Sequence, residues 1–186
     1  MTLTEMVMKT GKRGPSFAQM INHVGPRKNP IIVETGCARL ADNFEGDGMS
    51  TLIFDELASQ IDGKFYSVDI NPENAEFALK NTKVAEIHCG DSVKFLHELN
   101  TKLRKQGQYI DLLYLDSFDF DMQDPHPSSL HHILELVAIW PSCREGTMIC
   151  VDDNFGNVGK GGYVKQYMDL LGKDRVWDGY QWVWLL

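Results

Sequence analysis

Carboxylates recur at the ends of apolar runs along this chain. Glu34 closes Ile31-Ile32-Val33, Asp69 closes Phe65-Tyr66-Ser67-Val68, Asp116 closes Leu112-Leu113-Tyr114-Leu115, Asp152-Asp153 close Met148-Ile149-Cys150-Val151, and Asp91 follows Ile87-His88-Cys89. Acids gathered at one edge of a sheet repel one another, so stability alone explains the set poorly, although Asp91 could serve as a helix N-cap. A carboxylate after a second strand suits a ribose, because it can accept hydrogen bonds from both hydroxyls. Gly36 lets the backbone turn sharply beside a ligand, and Gly48-Met49-Ser50-Thr51 marks the start of the next helix. His126, between Pro125 and Pro127, has a side chain that titrates near neutrality and is a candidate general base, or else an exposed loop histidine. Lys160, in Gly159-Lys160-Gly161, could steady an anionic substrate or stand solvated in its loop. His131 and His132 are adjacent on an expected helix, about 100° apart, so they cannot share a metal and read as helix surface or core.

The elements that position these residues alternate. Strands are expected over 31–34, 64–69, 84–89, 110–116 and 147–153, the first of them a β-branched run of the kind buried on both faces in a parallel sheet. Asn71 and Pro72 open one helix as N-cap and first helical residue. Ser128 is expected to cap another that runs to about Trp140, and a last helix covers 163–171. The segment from Arg175 to Trp184 reads as two short strands around the Asp178-Gly179 turn. Five β-α units and a hairpin make an α/β, doubly wound, Rossmann-like sheet of seven mostly parallel strands with an antiparallel hairpin at its end. Residues 1–29 form a helical arm broken by Gly11, Gly14-Pro15 and Gly25-Pro26, and residues 30–186 form the remaining domain.

Composition narrows the function. The net charge of −8 argues against a nucleic-acid backbone as partner. No apolar run approaches the ~20 residues of a membrane span, and Met1 to Lys12 has no secretory apolar stretch. The four cysteines show neither C-x-x-C nor zinc spacing, which fits reduced thiols and a cytoplasmic location. Charge is uneven: Lys9, Lys12, Arg13, Arg27 and Lys28 against Glu5 give the first thirty residues about +4, leaving about −12 elsewhere. The arm is therefore either a solvated helix or a lid over the acidic sheet edge. Trp177, Tyr180, Trp182 and Trp184 supply either core or a homodimer patch.

The ordered set Glu34-x-Gly36, Val68-Asp69-Ile70-Asn71-Pro72, Gly90-Asp91-Ser92, Leu115-Asp116 and Val151-Asp152-Asp153-Asn154 resembles the motifs of class I S-adenosylmethionine-dependent methyltransferases, over roughly residues 30–186. The resemblance implies that Glu34 and Gly36 border the methionine part of S-adenosylmethionine, that Asp69 holds the ribose and that Asp91 and Ser92 lie beside the adenine. Gly48, Ser50 and Asp116 complete the expected cofactor site. The chain departs from the family in having Cys37-Ala38-Arg39 and a long loop where a compact G-x-G is usual. Asp116 with Asp153 and Asn154 is similar to the Mg²⁺ triad of catechol- and caffeoyl-CoA-type O-methyltransferases, whose lysine three residues after the first Asp is here Asp119.

The resemblance thus implies methyl transfer to a small-molecule acceptor, an oxygen first of all, with Asp116, His126 and Lys160 as candidate catalytic residues and Mg²⁺ at the triad. Competing readings are a metal-dependent glycosyltransferase using Asp119-Phe120-Asp121, and a non-catalytic S-adenosylmethionine-binding protein. A nicotinamide-dependent oxidoreductase would need G-x-G-x-x-G after the first strand, which Gly36-Cys37-Ala38-Arg39 does not supply.

Overall fold

The computed structural model describes residues 1–47 and 49–186. Gly48 lies outside the described residues. Seven strands form one sheet: β1 (Ile31–Thr35), β2 (Lys64–Asp69), β3 (Glu86–Cys89), β4 (Leu112–Leu115), β5 (Met148–Val151), β8 (Arg175–Asp178) and β9 (Trp182–Leu185). Their order is β3-β2-β1-β4-β5-β9-β8, parallel through β5, with β9 antiparallel to both its neighbours. This is the expected architecture. β6 (Asn154–Phe155) and β7 (Val158–Gly159) make a separate small hairpin next to Lys160, where a loop is expected from the sequence.

Period-two alternation assigns each strand residue to one of two cores. Val33, Leu113, Leu115, Ile149, Val151, Trp182 and Trp184 point to one face, where α5 (Ser92–Lys105), α6 (His126–Ile139) and α7 (Gly162–Leu170) pack. Ile32, Leu112, Tyr114, Met148, Cys150 and Val183 point to the other, under α2 (Gly14–Val24) and α3 (Ser50–Gln60). Trp182 and Trp184 are therefore core. The N-terminal arm comprises α1 (Leu3–Lys9), a short 3-10 turn and α2, whose Phe17, Met20 and Val24 are fully buried against the sheet.

Local departures from the expected boundaries have visible causes. β3 begins at Glu86, two residues later than expected, because the backbone N–H groups of Val84 and Ala85 donate to Asp55 Oδ1 at 2.9 Å instead of entering the ladder. α6 begins at His126 after Pro125, and Ser128 lies inside its first turn with its hydroxyl donating to the Pro125 carbonyl, so it does not cap. α4 (Pro72–Asn81) is capped as expected, Asn71 accepting from the Glu73 N–H at 2.9 Å.

Candidate active site

Strand order reverses between β1 and β4, the place where open α/β sheets bind ligands beyond the strand carboxyl ends. Gly36 follows β1 at φ +86°, and a Cβ there would stand 2.6 Å from the Asp116 carbonyl oxygen after β4. The two strand ends thus touch through bare backbone, which only glycine permits. Beside this contact opens a cavity of about 380 Å³, within the range of roughly 300–1,000 Å³ usual for small-molecule sites. Gly36, Ser50, Asp69, Asp91, Ser92 and Asp116 all line it.

The chain holds the Asp69 carboxylate in place. Oδ2 accepts from the Cys37 N–H at 2.9 Å, Oδ1 from the Asn71 N–H at 2.8 Å, and the Asn74 amide reaches both oxygens at 3.3 Å. Asp69 lines the cavity, and the two long Asn74 contacts are the ones that a ligand hydroxyl could replace. Asp91 both lines the cavity and caps α5, accepting from the Lys94 N–H at 2.8 Å.

Glu34 is placed differently from the expectation. It is fully buried and stands behind the cavity wall, its Oε2 accepting from Thr51 at 2.7 Å and Ser67 at 2.5 Å, and Thr51 Oγ1 in turn accepts the Ala38 N–H at 2.8 Å. Glu34 therefore supports the loop that lines the cavity and does not itself line it. Burial pushes its carboxyl up to about 7, against the pull of the neighbouring hydroxyls. A raised carboxyl pKa means that the folded state holds the proton more tightly, so this contribution to stability is full below the unfolded pKa and falls as pH rises toward 7. The change is on the order of 3 kcal/mol. Melting temperatures of wild type and Glu34→Gln measured across pH 5–8 should diverge in slope, with the variant lacking the decline. Parallel slopes would show that Glu34 does not titrate there.

His131, expected as helix surface or core, is a cavity residue. Its Nε2 lies 2.9 Å from Ser92 Oγ and 3.4 Å from Glu135 Oε1, and Phe118 tilts against its ring with centroids 5.4 Å apart. Glu135, fully buried, is fixed by Ser117 at 2.5 Å and Thr35 at 3.2 Å, and it raises the His131 pKa. The missed signal was the i, i+4 spacing of His131 and Glu135, which puts both on one face of α6. Arg39 stands at the rim, 3.4 Å from both Asp47 and Asp119, so Asp119 belongs to an exposed ion pair.

The other catalytic and metal candidates are distributed unevenly. His126 is exposed, bonded through Nδ1 to Tyr163 Oη at 2.5 Å, and is not among the residues lining the cavity. Asp116 and Asp153 do converge, but on Lys160, whose Nζ is 2.7 Å from Asp116 Oδ1 and 2.9 Å from Asp153 Oδ2. Burial disfavours the Lys160 charge, and the two carboxylates more than offset it, holding the ammonium above its usual range. Asn154 does not join them. Its amide donates to the Val151 carbonyl at 2.8 Å and its oxygen accepts the Gly161 N–H at 2.9 Å. The expected triad is therefore not assembled as a metal site, and no cluster of three or more His, Cys, Asp or Glu suited to a metal occurs among the described residues.

The Asp152 end of this acidic corner belongs to the core. Asp152 Oδ2 accepts from Arg13 Nε and Tyr114 Oη, both at 2.7 Å. Gln181 Nε2 donates to Tyr114 Oη at 2.7 Å, and Ser16 donates to Gln181 Oε1 at 2.5 Å.

Residues 45–154 match a family model described as a methyltransferase domain, more than half of the chain. The chain belongs to that family. No curated protein matches it by sequence. Among solved structures it is similar to the MycE methyltransferase from the mycinamycin biosynthetic pathway in complex with Mg and SAH, with a TM-score of 0.68 and 12% identity over all of this chain and 54% of that one. It is also similar to the O-methyltransferase NovP, with a TM-score of 0.61 and 13% identity over 94% and 79% of the two chains. The calicheamicin methyltransferase CalS11 has a TM-score of 0.63 and 12% identity over 92% and 77%. This methyltransferase-family chain spans about half the length of the MycE chain. The class I, S-adenosylmethionine-dependent assignment implied by the ordered acidic motifs is thereby borne out, and the glycosyltransferase reading is set aside. No helix among the described residues is long and apolar enough to cross a membrane.

Proposed function

We propose that the protein moves the methyl group of S-adenosylmethionine to a hydroxyl of a small acceptor. The observation that carries this reading is the cavity at the strand carboxyl ends, with the protein-oriented Asp69 carboxylate in its wall and Asp91, Ser92 and His131 also lining it. The residues fit the cofactor. Asp69 would accept both ribose hydroxyls, Asp91, Ser92 and His131 would border the adenine, and Gly36 with Cys37 and Ala38 would border the methionine part, with Ser50 and Glu34 supporting that loop. The bound cofactor would supply an electrophilic methyl group on a sulfonium centre. Asp116 lies in the cavity wall, and burial holds its carboxyl above the usual range, against the pull of Lys160. It would orient the acceptor hydroxyl or take its proton, a role suited to a carboxyl with a raised pKa.

Support for oxygen and for a small acceptor comes from relatives of the fold. NovP is described as an O-methyltransferase, CalS11 as a TDP-rhamnose 3'-O-methyltransferase, and MycE has been solved with mycinamycin VI. The acceptor would enter over Phe120, Phe155 and Tyr180, where the first two rings stack at 5.4 Å and Lys12 sits 3.4 Å above the third. Lys12 makes the N-terminal arm a candidate cover for that side.

Calorimetric titration with S-adenosylhomocysteine tests the cofactor half. Replacing His131 with alanine should weaken binding about 5- to 20-fold, through loss of a ring contact and of the His131–Ser92 hydrogen bond that holds the cavity wall. Turnover against a panel of sugar and phenolic hydroxyls, with mass analysis of the product, tests the acceptor half. Methyl found on nitrogen or carbon alone would overturn the oxygen assignment.

A further inference from the structure

We infer that the Lys160 ammonium permanently occupies the position between Asp116 and Asp153 that a bridging divalent cation would need, so that this chain holds no divalent ion there and Lys160 is a positioning residue for Asp116. An ammonium has three protons to donate. Here Asp116 Oδ1 at 2.7 Å, Asp153 Oδ2 at 2.9 Å and the Asp116 carbonyl oxygen at 3.3 Å are its acceptors, and the side chain is only 3% exposed. A metal ion would have to expel Lys160 or sit beside a positive charge a few ångströms away, and the latter is costly in a site shielded from water.

The neighbouring groups close the remaining ways in. Asp153 Oδ1 already accepts from Tyr180 and from Arg13 Nη2. The Asn154 amide is committed to Val151, Asp152 and Gly161, and Gly161 packs so tightly on it that a Cβ there would lie 2.9 Å from its oxygen. That packing fixes the β6–β7 hairpin, which in turn aims Lys160 inward. Asp116 is thus held by a protein cation while the residue lines the cavity.

The inference rests on the proposed function only for the place of Asp116 in the cavity wall, and its test needs neither cofactor nor acceptor. Mn²⁺ uptake by the full chain, read from the paramagnetic resonance signal of the free ion, should be absent in wild type up to about 1 mM, a range in which a real site would also raise the melting temperature. Lys160→Met keeps the bulk of the stem and vacates the charge, leaving Asp116 Oδ1 and Asp153 Oδ2 without their shared cation while Asp153 Oδ1 keeps Arg13 and Tyr180. It should take up one Mn²⁺ and gain on the order of 5 °C in melting temperature with the ion, a gain abolished by adding Asp153→Asn. Lys160→Arg, which retains a cation, should take up none, and it serves if the Met variant fails to fold, together with Lys160→Gln as the neutral alternative. Stoichiometric Mn²⁺ binding by wild type that disappears in Asp153→Asn would overturn the inference. So would a folded neutral variant that takes up no Mn²⁺, because the two carboxylates would then be no cation site.

Discussion

Replacing Arg13 with alanine is expected to destabilise the fold by about 3–5 kcal/mol, the usual consequence of leaving a buried charge without its partner. The arginine uses all five of its N–H donors. Nε meets Asp152 at 2.7 Å, Nη1 meets the carbonyls of Glu45 and Gly46 at 3.1 and 3.2 Å, and Nη2 meets Asp153 at 3.3 Å and Tyr180 at 3.4 Å. Its side chain is 3% exposed and that of Asp152 is fully buried, so water cannot replace the lost bonds. Urea unfolding of wild type, Arg13→Ala and Arg13→Lys would measure the cost. Lysine should recover less than half of it, since a point charge with three donors cannot reach acceptors laid out for a planar fork. A loss below about 1 kcal/mol for alanine would mean that Asp152 finds another partner or a proton. The same burial makes deletion of residues 1–24 a poor test of a lid, because it would uncover the sheet face now under Phe17, Met20 and Val24.

Replacing Asp69 with alanine should weaken S-adenosylmethionine binding roughly 30- to 150-fold, corresponding to about 2–3 kcal/mol for a charge-assisted contact to two hydroxyls. The variant also loses the acceptor for Cys37, Asn71 and Asn74, so part of the effect comes from loosening the turn after β1. Asp69→Asn separates the two contributions. It keeps the bulk and one acceptor oxygen, and an affinity near that of alanine would assign the loss to charge. Binding unchanged in both variants would remove Asp69 from the ribose site. Because the group lies at the surface end of β2, melting temperature should move much less than affinity.

The parallel part of the sheet was legible in the sequence because β1, β2, β4 and β5 are marked twice, by apolar runs and by the acid at or next to the end of each. β2 was expected over 64–69 and spans Lys64–Asp69. The cavity followed from the same acids, since the carboxyl ends of parallel strands all open on one edge. What sequence could not convey was which acid pairs with which cation. Asp116, Asp152 and Asp153 are alike as letters, yet Asp152 meets Arg13 from the N-terminal arm while Asp116 and Asp153 meet Lys160 from a hairpin that looked like a loop. Both cations are distant in the chain from Asp116, and neither pairing has a local spacing rule to announce it. His131 was hidden for a related reason. Its partner Glu135 lies one turn away, but Ser92 and the cavity are brought to it only by the packing of α5 on α6.

The hydrogen bond from Ser16 to Gln181 bears on how this protein reaches its native state. It spans 165 positions, and the helix that carries Ser16 packs on Val183 of an interior strand. Neither the helix nor the right half of the sheet can be sealed until the residues at 182–185 have arrived, so the slowest closure joins opposite ends of the sequence. Refolding should therefore pass through a species in which β1 to β5 are paired while Phe17 and Met20 remain accessible to solvent. In hydrogen exchange, the α2 amides should gain protection in the final kinetic phase together with those of β9, later than the parallel strands.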